Sequence, residues 1–157
     1  MAIQGKLKIA GKTYSVVECE FDFSQSTDET GKPSSRTMGG TIKFVMPATS
    51  DDDLFFYRWM FDKTQVNSGI FRFRIYSNDN KAVYKSVAFG NAYCVGLKDY
   101  FNDNDSKLMY TTITLSAEII RIGSAQSATF NREWSQNSVM SAMSSLNTLY
   151  ESFNLEY

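Results

Sequence analysis

Apolar and polar side chains alternate along most of residues 1–122, and a period of two is typical of strands that bury one face. The alternation predicts seven strands, at residues 3–9, 17–23, 37–46, 70–76, 82–89, 92–101 and 108–122. Polar turns, such as the one at residues 77–80, separate neighbouring strands. The expected fold class is therefore mainly β.

One segment breaks the strand pattern and predicts a helix at residues 54–62. Ser50 is expected to cap it, because a serine hydroxyl can accept a hydrogen bond from an unpaired backbone N–H. Three carboxylates follow where the helix dipole favours negative charge: Asp51, Asp52 and Asp53. Capping explains these aspartates better than a metal or acid/base site, since consecutive side chains diverge. We expect about three turns, plugging an open end of the sheet with Leu54, Phe55, Trp59 and Met60.

The composition changes after Gly123. Residues 124–136 are serine-rich and predict a linker, which separates residues 1–123 from a helical extension at residues 137–157. The extension is predicted to be amphipathic because apolar side chains recur every three or four positions: Val139, Met143, Leu146, Tyr150 and Phe153.

Charge and composition argue against nucleic-acid binding, membrane insertion and a metal or catalytic site. The chain has 16 basic and 17 acidic residues, and this balance disfavours nucleic acid or an anionic membrane as a partner. We find no signal peptide and no apolar run near the roughly 18 residues that span a bilayer, so cytoplasmic synthesis is expected. There is no histidine, and Cys19 and Cys94 are far apart in sequence. We therefore expect no metal, no cofactor and no catalytic centre, with both cysteines serving as small buried apolar groups.

Three charged stripes are predicted on strand faces. Glu18, Glu20 and Asp22 share one face of the second strand, where neighbouring carboxylates repel one another unless a cation lies nearby. Arg72 and Arg74 form a basic stripe on another strand, and Lys6 and Lys8 form a third stripe. These faces either pair, within one sheet or between subunits, or simply face solvent.

A polar connection between the second and third strands is much longer than an ordinary hairpin turn. Its residues include Ser26, Thr27, Asp28, Glu29, Thr30, Gly31, Lys32, Pro33, Ser34, Ser35 and Arg36, to which only the resemblance described below gives an interface role. Ordering such a segment costs roughly 1–2 kcal/mol per residue in backbone entropy, and its polar side chains offer little burial in return. Its own burial therefore cannot order it.

Several stretches resemble the tube protein of type VI secretion systems, the haemolysin-coregulated protein family, in its Bacteroidetes-type branch. They are FDFSQSTDETGKPSSRTMGGTIKF, FFYRWMFD, NAYCVGLKDYFN and TTITLSAEIIRIG, within a similarity that runs from the first strand to about Trp134. The resemblance implies a small β-barrel of two packed antiparallel sheets with one short helix at its side.

The resemblance also implies a function without a catalytic centre. Six copies would close into a ring, rings would stack into a hollow tube, and a contractile sheath would expel the tube with its spike. The implied partners are further copies of the chain, sheath, spike and baseplate proteins, and small effectors in the lumen, with neither nucleic acid nor direct membrane insertion. The protein would be cytoplasmic until the machine exports it to the extracellular space or a target cell.

Alternatives remain open at this point. The chain is alternatively a tail-tube or tail-terminator component of a phage-like particle, a ligand-binding barrel or, least favoured, an enzyme. The polar connection is interpreted as an arm that docks on a neighbouring subunit, in the same ring or the next. The C-terminal helix packs on its own barrel, binds a neighbouring ring, or acts as an adaptor for cargo or the spike.

Overall fold

The computed structural model describes residues 5–78, 81–104, 108–123 and 127–134. In these residues the chain is mainly β, with eight strands and one short helix. The strands are β1 (Gly5–Ile9), β2 (Lys12–Ser15), β3 (Glu18–Phe21), β4 (Thr41–Pro47), β5 (Asn67–Asn78), β6 (Lys81–Phe101), β7 (Met109–Ile122) and β8 (Ala128–Asn131). The helix, α1, spans Phe55–Phe61.

The strands form one continuous antiparallel sheet in the order β2-β1-β5-β6-β7-β4-β3, and β8 pairs with β7. Two packed sheets were expected, so this part of the prediction is wrong. The sheet curls because a short link joins its two ends: Val16 N donates to Gly5 O at 3.0 Å, while Val17 N donates to Val45 O at 2.9 Å. The predicted second strand at residues 17–23 corresponds to β3, whereas β2 is a strand that the alternation does not predict.

β6 is a single strand of 21 residues, although the sequence predicts two strands in this region. The polarity pattern reverses near Asn91, whose φ of 50° marks an irregular position. On the paired strand β7, the same reversal falls at Glu118, and Asn91 Nδ2 donates to Glu118 Oε1 at 2.8 Å. At this position, which we call the corner, the side chains of β6 and β7 that faced inward begin to face outward, and the reverse. In the sequence this change of face interrupts the alternation, so it resembles a break between two strands.

The inner face of the sheet forms the core, as the alternation predicts. Its largest fully buried side chains include Trp59, Phe44, Phe71 and Phe89. Phe44 contacts both Phe56 and Phe71 edge-on, with ring centroids 6.2 and 5.2 Å apart. Cys94 belongs to this core, whereas Cys19 is only partly buried and packs against it.

The helix is shorter than predicted and is capped differently. It begins at Phe55, Leu54 is its N-cap residue, and no side chain caps it. Ser50 instead belongs to a preceding turn in which Asp53 N donates to Ser50 O at 3.0 Å. Asp53 Oδ1 then accepts a hydrogen bond from Phe55 N at 3.3 Å. The aspartates therefore shape the turn before the helix and are absent from its first turn.

The buried face of α1 is formed by Phe56 and Trp59, with Phe55 and Met60 partly buried against the core. Trp59 Nε1 donates to Gln65 O at 3.1 Å, so this buried indole keeps a hydrogen bond. Leu54 is exposed, contrary to the predicted stripe. The helix packs on β6 and fills the inside of the curl.

The stretch predicted to be a linker contains β8, which pairs with β7 from Ile119 opposite Asn131 to Ile122 opposite Ala128. The predicted C-terminal helix at residues 137–157, with its stripe of Val139, Met143, Leu146, Tyr150 and Phe153, lies outside the described residues. Its existence and role stay predictions.

Candidate assembly surface

The polar connection between β3 and β4 leaves the sheet as an exposed hairpin, which we call the arm (residues 24–38). Ser24 and Met38 bridge its base, where Ser24 N donates to Met38 O at 2.9 Å and Met38 N donates to Ser24 O at 2.7 Å. Thr27 and Pro33 form a second bridge further out. All side chains of the arm are exposed. The arm thus projects from the fold and contributes nothing to its core.

One carboxylate organises the arm tip. Asp28 Oδ1 accepts hydrogen bonds from Thr30 N at 2.9 Å, Thr30 Oγ1 at 2.7 Å and Lys32 N at 3.0 Å. The hydroxyl of Thr30 and these backbone N–H groups lower the pKa of Asp28. Gly31, with a φ of 86°, supplies the left-handed residue that the turn requires. Sequence analysis identified the segment but not this organisation.

The base of the arm rests on β8. The ring of Phe23, just before the arm, contacts the ring of Phe130 with centroids 5.3 Å apart. Gly39, just after the arm, lies so close to Phe23 that a Cβ atom there would overlap its ring. A groove of about 400 Å³ runs beside this base between Phe23, Phe130 and Ile122.

Arg132 joins the returning end of the arm to the sheet. Its guanidinium donates to Gly39 O through both Nε, at 2.8 Å, and Nη2, and it donates to Ser116 Oγ through Nη1 at 2.7 Å. The guanidinium also lies over the ring of Trp134 at 5.7 Å from the centroid. Burial lowers the pKa of Arg132.

Glu118 holds the segment around Arg132 in place. Its side chain is fully buried, and Oε2 accepts a hydrogen bond from Trp134 N at 2.5 Å while its backbone oxygen accepts one from Arg132 N at 2.9 Å. A buried carboxylate needs such donors, because burial without hydrogen bonds disfavours the charged form. The Asn91–Glu118 corner of the sheet therefore also fixes the chain that follows β8.

The charged stripes lie on different pairs of strands. Glu18 and Glu20 are exposed on β3, which pairs with β4, and Glu20 lies opposite Lys43. On β1, which pairs with β5, Lys6 lies directly opposite Arg72. Arg74 and Lys8 share that face, whereas Asp22 is exposed just after β3. Lys43 places a cation next to the acidic stripe within the same chain.

Polar side chains near α1 anchor the turn before the helix and the helix itself. Tyr14 donates to Asp53 Oδ2 at 2.8 Å, and Lys12 Nζ lies 3.4 Å from the same oxygen. Burial raises the pKa of Tyr14, and so do its hydrogen bond to Asp53 and the charge of that carboxylate. Burial opposes ionisation of Asp53, but the bonds from Tyr14 and Phe55 and the Lys12 charge still lower its pKa.

The described residues hold no group of three His, Cys, Asp or Glu side chains that is able to bind a metal ion. Burial raises the pKa of Cys94 to about 11, and burial together with the Glu20 charge raises the pKa of Cys19 to about 12. Thiols with such pKa values are poor nucleophiles at neutral pH. Among the described residues, no helix is long and apolar enough to cross a membrane.

A family model described as hemolysin coregulated protein Hcp (TssD) matches residues 1–135. The chain belongs to this family. The Hcp resemblance predicted from the sequence is thereby confirmed. A search of curated proteins found no match.

Solved structures share the Hcp fold. Hcp1 from Flavobacterium johnsoniae is 28% identical, with a TM-score of 0.69 over 82% of this chain and 99% of that chain. Hcp1 from the E. coli EAEC 042 pathovar is 16% identical, with a TM-score of 0.66 over 83% and 99%. A type VI secretion system effector from Yersinia pestis is 10% identical, with a TM-score of 0.61 over 81% and 98%. The last two likenesses show the fold alone.

Within this Hcp fold, sequence reasoning missed the residues that hold the arm. Phe130, Arg132 and Trp134 were assigned to a linker, although the resemblance reached Trp134. A usable signal was present, since two aromatic residues and an arginine are unusual in a serine-rich linker. Glu118 gave a weaker signal, because it occupies an ordinary polar position in the alternation of β7.

Proposed function

We propose that this Hcp family member is an inner-tube subunit of a type VI secretion machine, in which six copies close into a ring and rings stack into a hollow tube. The observation that carries the proposal is the combination of the Hcp fold with an exposed arm mounted on the edge of its sheet. Ordering a segment without buried side chains adds little stability to the isolated chain, because no burial offsets the entropy that is lost. The segment would bury surface when a neighbouring copy covers it.

The arm is suited to docking on a neighbour. Besides the bridges at its base, Ser34 N donates to Ser26 O at 2.7 Å and Ser26 N donates to Ser35 Oγ at 2.8 Å. These bonds keep the two sides of the hairpin together, which lowers the entropy lost on binding. An extended chain rises about 3.3 Å per residue, so half of the arm spans on the order of 20 Å and can cross a subunit boundary.

The charged stripes supply a second part of the proposed interface. A ring of identical subunits uses a heterologous contact, in which one surface of each copy binds a different surface of the next. The acidic stripe of Glu18, Glu20 and Asp22 is complementary to the basic face of Lys6, Lys8, Arg72 and Arg74. Complementary charges favour the correct register and accelerate association.

The role of a tube subunit also implies partners other than further copies of the chain. Sheath, spike and baseplate proteins contact the assembled tube, and small effectors occupy its lumen. The subunit acts structurally and carries out no reaction. It is made in the cytoplasm, and sheath contraction exports it to the extracellular space or a target cell.

Electron microscopy of the purified full chain tests the proposal by looking for rings and stacked rings. Deleting residues 32–35 removes the outer bridge between Thr27 and Pro33. We expect the shortened chain to keep its melting temperature within a few degrees and to lose stacking and secretion. Loss of closed rings as well would place the docking site within the ring. Normal stacking and normal secretion would contradict the role of the arm.

A further inference from the structure

We propose that Arg132 is a positioning residue that sets the direction in which the arm leaves the sheet, and that it thereby controls docking of the arm on a second copy of this chain. The inference rests on the proposed function, since it assumes that the arm docks. It assigns the control of that docking to a residue outside the arm itself.

Arg132 follows β8 and links the returning end of the arm to β7 through its side chain. Gly39 ends the arm, Ser116 lies in the middle of β7, and one guanidinium donates to both. The backbone of the next residue is fixed as well, because Ala117 N donates to Gly40 O at 2.7 Å. The returning end of the arm is therefore tied to β7 at two adjacent peptide groups.

The space for this contact is made by glycine. Gly40 has a φ of 98°, which side chains other than hydrogen rarely allow, and a Cβ atom there would collide with the guanidinium of Arg132. The outgoing end of the arm is held by Phe23 on Phe130, two positions before Arg132. Both ends of the arm are thus mounted on residues 130–132.

An arginine suits this position better than a lysine. The planar guanidinium presents several N–H donors in fixed directions, so it can bind the Gly39 carbonyl and the Ser116 hydroxyl together. A lysine ammonium is a point charge on a flexible stem and fixes no plane. Because the arm reaches on the order of 20 Å from its base, a tilt of about 20° at the base displaces its tip by roughly 7 Å.

The test uses the full chain with three substitutions. Arg132→Met removes the donors and keeps an unbranched apolar stem, Arg132→Lys keeps the charge, and Arg58→Met makes the same replacement at an exposed position of α1. The deletion of residues 32–35 serves as the reference without a complete arm. Three quantities are measured: melting temperature, the rate of tryptic cleavage after Arg36, and stacking by sizing and electron microscopy.

We expect Arg132→Met to accelerate cleavage after Arg36 at least fivefold while cleavage elsewhere is unchanged, and to weaken stacking at least tenfold. Arg132→Lys should retain more stacking than Arg132→Met but less than the wild type. Arg58→Met should stack and be cleaved as the wild type is. Wild-type stacking by Arg132→Met, when the deletion abolishes stacking, would overturn the role of Arg132 and leave the proposed function intact. Wild-type stacking by the deletion would instead contradict the docking arm.

If Arg132→Met fails to fold, Arg132→Lys decides the question alone. A folded lysine variant with reduced stacking and faster cleavage after Arg36 supports the positioning role. A folded lysine variant that equals the wild type in both measurements overturns it.

Discussion

Single side chains hold the short helix against the curled sheet. Tyr14 reaches from β2 to Asp53 in the turn before α1, and Tyr57 on α1 donates to Asp99 Oδ2 at 2.5 Å. Thr111 also donates to Asp99, through Oγ1 at 2.6 Å. The hydrogen bond that Tyr57 donates to Asp99 is the largest cause of the raised pKa of Tyr57. Burial of Tyr57 and the charge of Asp99 raise that pKa further. These bonds place polar groups around an apolar helix and fix its orientation.

Tyr14→Phe should lower the free energy of unfolding by roughly 1–2 kcal/mol at pH 7, because a hydrogen bond to a charged acceptor is lost. The folded-state pKa of Asp53 is lowered, so its contribution is present above the unfolded value of about 3.9 and disappears as pH falls through the folded value. The difference between the proteins should therefore shrink below about pH 4.

Urea titrations at pH 7 and pH 3 measure this difference. Tyr100→Phe is the matched control, since Tyr100 is exposed and accepts a hydrogen bond from the half-buried Asn102. It should change stability by less than about 0.5 kcal/mol. An equal loss for Tyr14→Phe at both pH values would show that the Asp53 charge does not contribute.

At this scale the alternation correctly places Phe44 and Phe71 inside and Glu18 and Lys6 outside, because a strand's period of two follows from backbone geometry alone. It cannot predict that Arg132 reaches Gly39. That contact joins residues distant in sequence through one rotamer, and no local preference encodes it.

At the scale of elements, α1 depends on packing for its stability. A helix of seven residues without a side-chain cap is unstable in isolation, so burial of Phe56 and Trp59 must hold it. Tyr14 and Phe44 surround Phe56, with ring centroids 5.0 and 6.2 Å away. The helix therefore belongs to the same cooperative unit as the sheet.

Phe56→Ala should lower the free energy of unfolding by roughly 3–5 kcal/mol, because it leaves a cavity among aromatic rings. Phe61→Ala is the matched control on the same helix, since Phe61 is 83% exposed. It should cost less than about 1 kcal/mol. Denaturant titration of both variants measures the contrast, and similar losses would mean that α1 is not anchored through Phe56.

The pattern of apolar and polar side chains predicts the longer strands and the helix, but not the short strands β2 and β8, and it places element limits less well. The turn at Ser50 was read as a cap because serine followed by aspartates satisfies a helix start and a turn equally well. The corner at Asn91 was read as a strand break because it reverses the faces of β6 and β7 together. At Ser50 a local hydrogen bond from Asp53 N closes the turn, whereas at Asn91 the bond to Glu118 on the neighbouring strand decides the backbone.

At the scale of the whole molecule, the fold places like charges together. Lys6 lies opposite Arg72 on the basic face, where the Arg72 guanidinium also lies over the ring of Tyr84 at 4.5 Å from its centroid. Glu18 and Glu20 likewise share one exposed face of β3. The proposed contact between the acidic face of one copy and the basic face of another would explain why each face carries a single sign of charge.

A mixing experiment tests this explanation. One variant carries Glu18→Lys and Glu20→Lys, and the other carries Lys6→Glu and Lys8→Glu. Each variant alone should assemble roughly tenfold more weakly than the wild type, and more so at low salt, because its two contact surfaces no longer attract. An equal mixture should assemble further than either variant alone, since every second contact then joins an unaltered acidic face to an unaltered basic face. The other contact is nearly neutral, because Arg72 and Arg74 offset the two introduced glutamates.

Mass photometry at 50 and 500 mM salt follows the mixture, with circular dichroism to confirm that both variants fold. Alternation of two variants fits a closed ring with an even number of subunits, so the mixture should give the same particle mass as the wild type. If both variants assemble normally on their own, the stripes either pair within the chain or face solvent. Recovery in the mixture without recovery in either variant requires the acidic face of one copy to contact the basic face of another.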